Sequence, residues 1–170
     1  MIGQCKEYLI QKLKDAGIKS KVHTSMKKLE QSNESHLGAV LFEGDGFARS
    51  GSKTIYVDQG GDKRKRAKIF DRKTSFVVVI GEYEEGKCES IFEKFITLLD
   101  RGIVIDGNFT AIEIDDAHWV DGNDSILKAK ITVEVKITFE GGLYKDSVYG
   151  KISELEQTLE SVKEEDNGNN

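Results

Sequence analysis

Residues 129–139 read Ala-Lys-Ile-Thr-Val-Glu-Val-Lys-Ile-Thr-Phe. Their strict apolar/polar alternation is the two-residue period of a β-strand with one dry and one wet face. Ala129, Ile131, Val133, Val135, Ile137 and Phe139 form the dry face. Ordering a backbone costs about 1 to 2 kcal/mol per residue, and burying a large apolar side chain returns roughly 1.5 to 3 kcal/mol. Cost and gain are of similar size here, so the strand needs paired neighbours for its backbone and a packed layer against its apolar face. It belongs at the centre of a sheet, and Gly141-Gly142 is expected to end it.

Outward from this strand, other periodicities place the remaining elements. Ile2, Cys5, Leu9, Leu13 and Ala16 recur at steps of three and four, an amphipathic helix that Gly17 can close. Short strands are expected at 18–24, 37–43 and 53–58, followed by a hairpin arm at about 66–81. That arm ends in Phe76-Val77-Val78-Val79-Ile80, a run expected to be buried on both faces. Between Glu84 and Arg101, the stripe Cys88, Ile91, Phe92, Phe95, Leu98, Leu99 predicts a second helix, with acids at its positive end. Ile103-Val104-Ile105, the turn signal Asp106-Gly107-Asn108 and a strand starting near Phe109 complete the order, with Trp119 in a polar connection ahead of the long strand. Strands cluster rather than alternate with helices, so the fold class is α+β with a mainly antiparallel sheet flanked by helices, in the order α-β-β-β-β-α-β-β. Residues 1–146 are expected to form one such domain. Val148, Ile152, Leu155, Leu159 and Val162 step by four and three and predict an amphipathic helix over 147–163, suited to docking on this domain or a neighbouring copy. A polar tail follows over 164–170.

Composition limits the partners. The 170 residues are 38% hydrophobic and 32% charged, within the range of an ordinary folded domain. A net charge of -5 argues against tight nonspecific binding of nucleic acid by the whole surface, while allowing DNA to pass nearby. No apolar run approaches 18 residues and no basic-then-apolar amino terminus is present, so neither a membrane span nor secretion is expected. Proline is absent, which leaves sheet edges to be guarded by charge or by partners. Cys5 and Cys88 fall on apolar helix stripes and are expected to be buried thiols.

The sequence carries no catalytic signature, and no enzyme activity, cofactor or small-molecule substrate is expected. His23, His36 and His118 are too far apart in sequence for metal-ligand spacing, so no metal is expected. Gly44-Asp45-Gly46-Phe47-Ala48-Arg49-Ser50-Gly51 lacks the Lys-Ser/Thr ending of a phosphate loop and is expected to be a flexible hairpin loop. Asp121-Gly122-Asn123-Asp124 lacks the closing glutamate of a calcium loop and reads as a turn. Lys63, Arg64, Lys65, Arg66 and Lys68 form the one local charge anomaly, suited to phosphates, to an acidic partner or to a solvated hairpin tip. The alternative ligand-binding or enzymatic reading has one cluster to use, Glu113, Asp115, Asp116 and His118, which otherwise reads as a strand end and loop.

From about Gly38 to Asp146 the chain resembles small phage and prophage tail proteins, in particular the tail terminator family of long-tailed phages. The resemblance is carried by Gly38-Ala39-Val40-Leu41-Phe42, by the Phe70-Asp71-Arg72 to Val79 arm and by the second helix. It also rests on Trp119 ahead of Ala129 to Phe139, with Gly141-Gly142-Leu143-Tyr144 after them. It implies a sheet flanked by helices, copies associating in a ring, typically of six, and a binding role that caps the tail tube and joins it to the head-side connector. Expected partners are other copies of the chain together with tail tube and connector proteins, in the virion tail or the host bacterial cytoplasm. A neck or minor tail role is the nearest variant. The basic stretch Lys63 to Lys68 and the stripe Val148, Ile152, Leu155, Leu159, Val162 lie outside the shared pattern and are the candidate partner-binding residues.

Overall fold

A computed structural model describes residues 1–121 and 131–149. Helices α1 (Ile2–Ala16), α2 (Met26–Glu30) and α3 (Glu85–Leu98) accompany strands β1 (Leu37–Arg49), β2 (Lys53–Val57), β3 (Lys63–Glu82), β4 (Gly102–Ile105), β5 (Asn108–Asp121) and β6 (Ile131–Val148). The chain divides into two compact units. The first comprises Met1–Ser50 with Phe70–Leu143, and the second Gly51–Ile69 with the chain from Tyr144.

The first unit holds a sheet of order β1-β3-β6-β5-β4. β1 pairs antiparallel with β3, β4 with β5, and β5 with β6. The long alternating strand is central, as its pattern demands. Val133, Val135, Ile137 and Phe139 are fully buried and share one cluster with Val40, Phe76, Val78 and Ile80 from neighbouring strands, Cys5, Leu9 and Leu13 of α1, and Cys88, Ile91 and Phe95 of α3. Phe139 stands edge-on to both Phe76 and Tyr8, with centroids 5.9 and 6.2 Å apart. A smaller cluster gathers Leu37, Ala39, Leu41 and Val79 under Leu29 of α2. The run Phe76 to Ile80 is accordingly buried on both faces, apart from half-buried Val77. Both cysteines are buried free thiols, each pushed up to about 11 by desolvation.

Several local readings need correction. Residues 18–24 form no strand; a single parallel bridge joins His23 to Ala39. His36 holds this segment instead. Its Nε2 accepts the Lys19 N–H at 3.1 Å, so its Nδ1 carries the proton donated to buried Glu82, which also receives Lys87 Nζ at 3.0 Å. The short helix α2 has only five residues, too few to show a helical period. Gly44 to Arg49 belong to β1 rather than to a flexible loop, because a bulge between Phe42 and Gly44 shifts the register without ending the pairing. Trp119 lies in β5 opposite Val133, not in a connection, with its ring 5.6 Å from Phe92. Gly141-Gly142 does not end β6, which continues to Val148. A Cβ at Gly141 would stand 3.0 Å from Thr110 Oγ1 and 3.1 Å from Met1 Cε, so this glycine serves close packing rather than a turn. The Asp106-Gly107 signal does make the expected tight turn, with φ of 50° and 74°.

Truncating Phe139 to alanine empties the contact between the sheet and α1. Phe139→Ala is expected to destabilise the protein by about 3 to 5 kcal/mol, read from the urea unfolding midpoint at unchanged slope.

Candidate functional site

Three constellations gather the charged side chains. The first lies on the wet face of the sheet in the first unit, where β6 presents half-buried Glu134 and Lys136 between its buried residues, with buried Thr138 next along the same face. β5 carries a bulge between Ile114 and Ala117, so Asp115 and Asp116 together oppose Lys136. An open cleft of about 690 Å³ forms there, lined by Glu43, Val77, Ile114, Asp115, Asp116, His118, Glu134 and Lys136. Lys136 Nζ reaches Glu43 at 2.7 Å, and this hydrogen bond holds its ammonium charged to a higher pH than usual. The Thr138 hydroxyl donates to Asp115 at 3.2 Å. Of the cluster suggested by the sequence, Asp115, Asp116 and His118 line the cleft and Glu113 does not. Among the described residues no group of three His, Cys, Asp or Glu side chains is placed to hold a metal.

The second constellation occupies the far end of β1 and its partner residues in β3. Asp45 accepts two hydrogen bonds from Arg72, at 2.6 and 3.3 Å, and one from the Thr74 hydroxyl at 2.6 Å. Arg72 also stands over the Phe47 ring at 5.5 Å, Phe47 meets Phe70 edge-on at 6.4 Å, and Arg49 covers Phe70 at 4.7 Å. Strand alternation produces this ladder, since Phe47 pairs with Arg72 and Arg49 with Phe70. Burial favours the neutral form of Asp45, but the Arg72 and Thr74 hydrogen bonds outweigh it and hold the carboxyl below its usual range.

The third is the second unit, where β2 pairs with the first part of β3. The basic stretch sits here and alternation divides it. Arg64 pairs with Tyr56 and Arg66 with Thr54, whereas Lys63 and Lys65 pair with Val57 and Ile55. Arg66 forks onto Asp146 of β6 through Nε and Nη2, both at 2.7 Å, while the Tyr56 hydroxyl donates to the same carboxylate at 3.0 Å. Arg66 also lies 4.9 Å above the Tyr56 ring. Arg64 Nε donates to Asp58 at 2.7 Å, and Asp58 further accepts the Gly60 and Asp62 N–H groups across the hairpin. These bonds hold Asp58 and Asp146 below the usual carboxylate range, the Arg64 and Arg66 hydrogen bonds leading in each case. Arg64 and Arg66 are thus neutralised within the unit. Lys68 continues the stretch, with its backbone N–H on Ser52 O at 2.9 Å.

Val148 lies at the exposed end of β6, in a strand rather than a helix. Ile152, Leu155, Leu159 and Val162 lie outside the described residues, as do Gly122, Asn123 and Asp124. The partners Asp146, Tyr56, Asp58 and Glu43 were not foreseen. Asp146 is 80 residues from Arg66 and carries no local signal, whereas Glu134 and Lys136 were visible as wet-face positions of the alternating strand. Compared with known proteins, the chain matches no family model and no curated relative.

Two outcomes are expected. Asp45 has a folded pKa below its unfolded value of 3.8, so its contribution is complete well above 3.8 and is lost as pH falls through the lower folded value. Asp45→Asn should cost about 1 to 3 kcal/mol at neutral pH, with a deficit that shrinks in urea melts below pH 3.8. Asp146→Asn removes the charge that Arg66 grips, and amide hydrogen exchange over 53–69 should speed up while the protection of Val133 to Phe139 stays unchanged.

Proposed function

We propose that this chain is a structural subunit of a phage or prophage tail, a tail terminator whose copies close head-to-tail into a ring. The observation that supports this is the state of the two sheet margins in the first unit. β4 reads Gly-Ile-Val-Ile, an edge strand with no charge and no proline, and Val104 is 71% exposed. Phe109, 61% exposed, reaches back over Gly102, where a Cβ would meet its ring at 2.3 Å. The opposite margin is β1, whose outer side carries only the His23 bridge among the described residues, and where Phe42 and Phe47 are about half exposed. An edge left open with apolar residues on it is a template for pairing with another chain. Two different open margins on one subunit are what a heterologous, ring-closing contact requires.

Placement at the head-side end of the tail tube rests on the resemblance of Gly38 to Asp146. No helix among the described residues is long and apolar enough to cross a membrane. A second reading, ligand binding in the cleft around Asp115, Asp116 and His118, is favoured by one observation, the convergence of those three side chains on an open volume.

Sedimentation of the purified chain should show a higher oligomer, with six as the typical count for the family it resembles. Val104→Glu and Phe47→Glu should each give monomers, and a mixture of the two variants should stop at a dimer, since one intact interface remains per pair. A monomer at every concentration, with no ring formed on tail tubes, overturns the proposal. A ligand-dependent rise in Tm that Asp115→Asn and His118→Ala abolish would establish the second reading instead.

A further inference from the structure

Among the described residues the outer side of β1 is covered at one place, and that cover hangs on an imidazole. Segment 18–24 meets the strand through the His23 N–H on Gly38 O and the Val40 N–H on His23 O, both at 2.8 Å. Ile18 and Val22 are buried, and Ile18 lies so close over Gly38 that a Cβ there would meet its Cγ2 at 2.9 Å. Between these anchors the Lys19 N–H donates to His36 Nε2 at 3.1 Å. The same ring donates from Nδ1 to Glu82. Glu82 is 2% exposed, and a buried carboxylate is costly without partners; Lys87 Nζ supplies the countercharge at 3.0 Å.

The His36 ring is thus fully used in its neutral state, as an acceptor toward Lys19 and a donor toward Glu82. A second proton makes Nε2 a donor as well, and two donors cannot share a hydrogen bond. That proton strengthens the contact with the Glu82 carboxylate and abolishes the one with Lys19, so the ring stays in place and the segment lets go. We propose that His36 is a pH-sensitive latch, whose protonation loosens segment 18–24 and frees Gly38 O and Val40 N–H on the edge of β1 for a partner strand. The other charged groups around it do not compete for the ring. Lys19, Lys21, Lys27, Lys28, Glu30 and Glu34 are exposed, and the one ion pair His36 makes among the described residues is with Glu82. Cys88, which also feels the Glu82 charge, is a buried thiol pushed up to about 11 and stays neutral. His23 is a second imidazole on the segment, with a buried Nε2 that has no hydrogen-bond partner among the described residues, so its titration must be read separately. The latch lies within one chain and holds whether or not rings form.

NMR of the full chain between about pH 8 and pH 5, the range in which imidazoles change charge, tests the proposal. The Cε1–H shifts of His36 and His23 report each ring's own protonation, and amide exchange, expressed as protection factors, reports Lys19, His23 and Val40. Protection at these three amides should fall about five-fold, the worth of one ordinary hydrogen bond, in step with the titration of His36, while Val133 to Phe139 keep theirs. His36→Gln can accept from Lys19 and donate to Glu82 but takes up no proton, and should hold the protection level across the range. Repeating the titration on Val104→Glu keeps an edge covered by a neighbouring copy from being read as a closed latch. A fall that follows His23 instead, or that persists in His36→Gln, would overturn the proposal. So would a His36 that takes up its proton with protection unchanged, or that takes up none before the chain unfolds. The chain with native His36 suffices to decide between these outcomes, so the test stands even where the glutamine variant does not fold.

Discussion

Strand β6 must keep Val133, Val135, Ile137 and Phe139 dry while Glu134, Lys136 and Glu140 stay wet, and the rest of the first unit answers that demand. Its backbone is satisfied by β3 on one side and β5 on the other. Its dry face is closed by α1 and α3, whose own stripes would be unburied without it. A shift of one residue in its pairing would invert every side chain. The charged pairs Lys73 with Glu140 and Lys136 with Glu43 cross between strands on the wet face and oppose such a slip.

The parts legible in the sequence are those where one period runs uninterrupted. α1, α3, the second half of β3 and the core of β6 each repeat a single spacing for two turns or several pairs, and the antiparallel α+β arrangement follows from their order. The parts missed are those where the period breaks while the pairing persists. The bulge at Phe42 and Gly44, amid glycines that add no side chain to the pattern, hid the far half of β1. The extra residue at Asp115 and Asp116 moved β5 out of phase and made Trp119 look like loop. Gly141 resembled a stop because its actual role, making room for Thr110 and Met1, depends on residues distant in sequence.

The charged sites divide in the same way. The basic stretch was plain as composition, but its chemistry was not, because alternation sends Arg64 and Arg66 to one face and Lys63 and Lys65 to the other. The arginines find carboxylates and a tyrosine ring; the lysines border exposed aliphatic side chains. A run that reads as one polycation in sequence is therefore two surfaces, one already satisfied within the second unit and one bordering the exposed side chains of Ile55 and Val57. Phosphate binding by the whole run would require breaking the bidentate Arg66–Asp146 pair, which costs more than recruiting a solvated lysine.

The lack of proline bears on the two sheet margins. Natural sheets blunt their edges with proline, inward charge, bulges or very short strands. β1 has a bulge and, at its far end, arginines drawn onto aromatic rings, so its edge retains backbone groups flanked by Phe42 and Phe47. β4 has neither charge nor proline, and its four-residue length is its one safeguard. A monomer would gain from a lysine at Val104, which is 71% exposed and where an apolar group gains little by burial. Keeping valine there is a cost to a solitary chain and a benefit to one whose β4 edge meets another surface, which is why the proposed assembly is argued from the margins rather than from the cleft or the basic stretch.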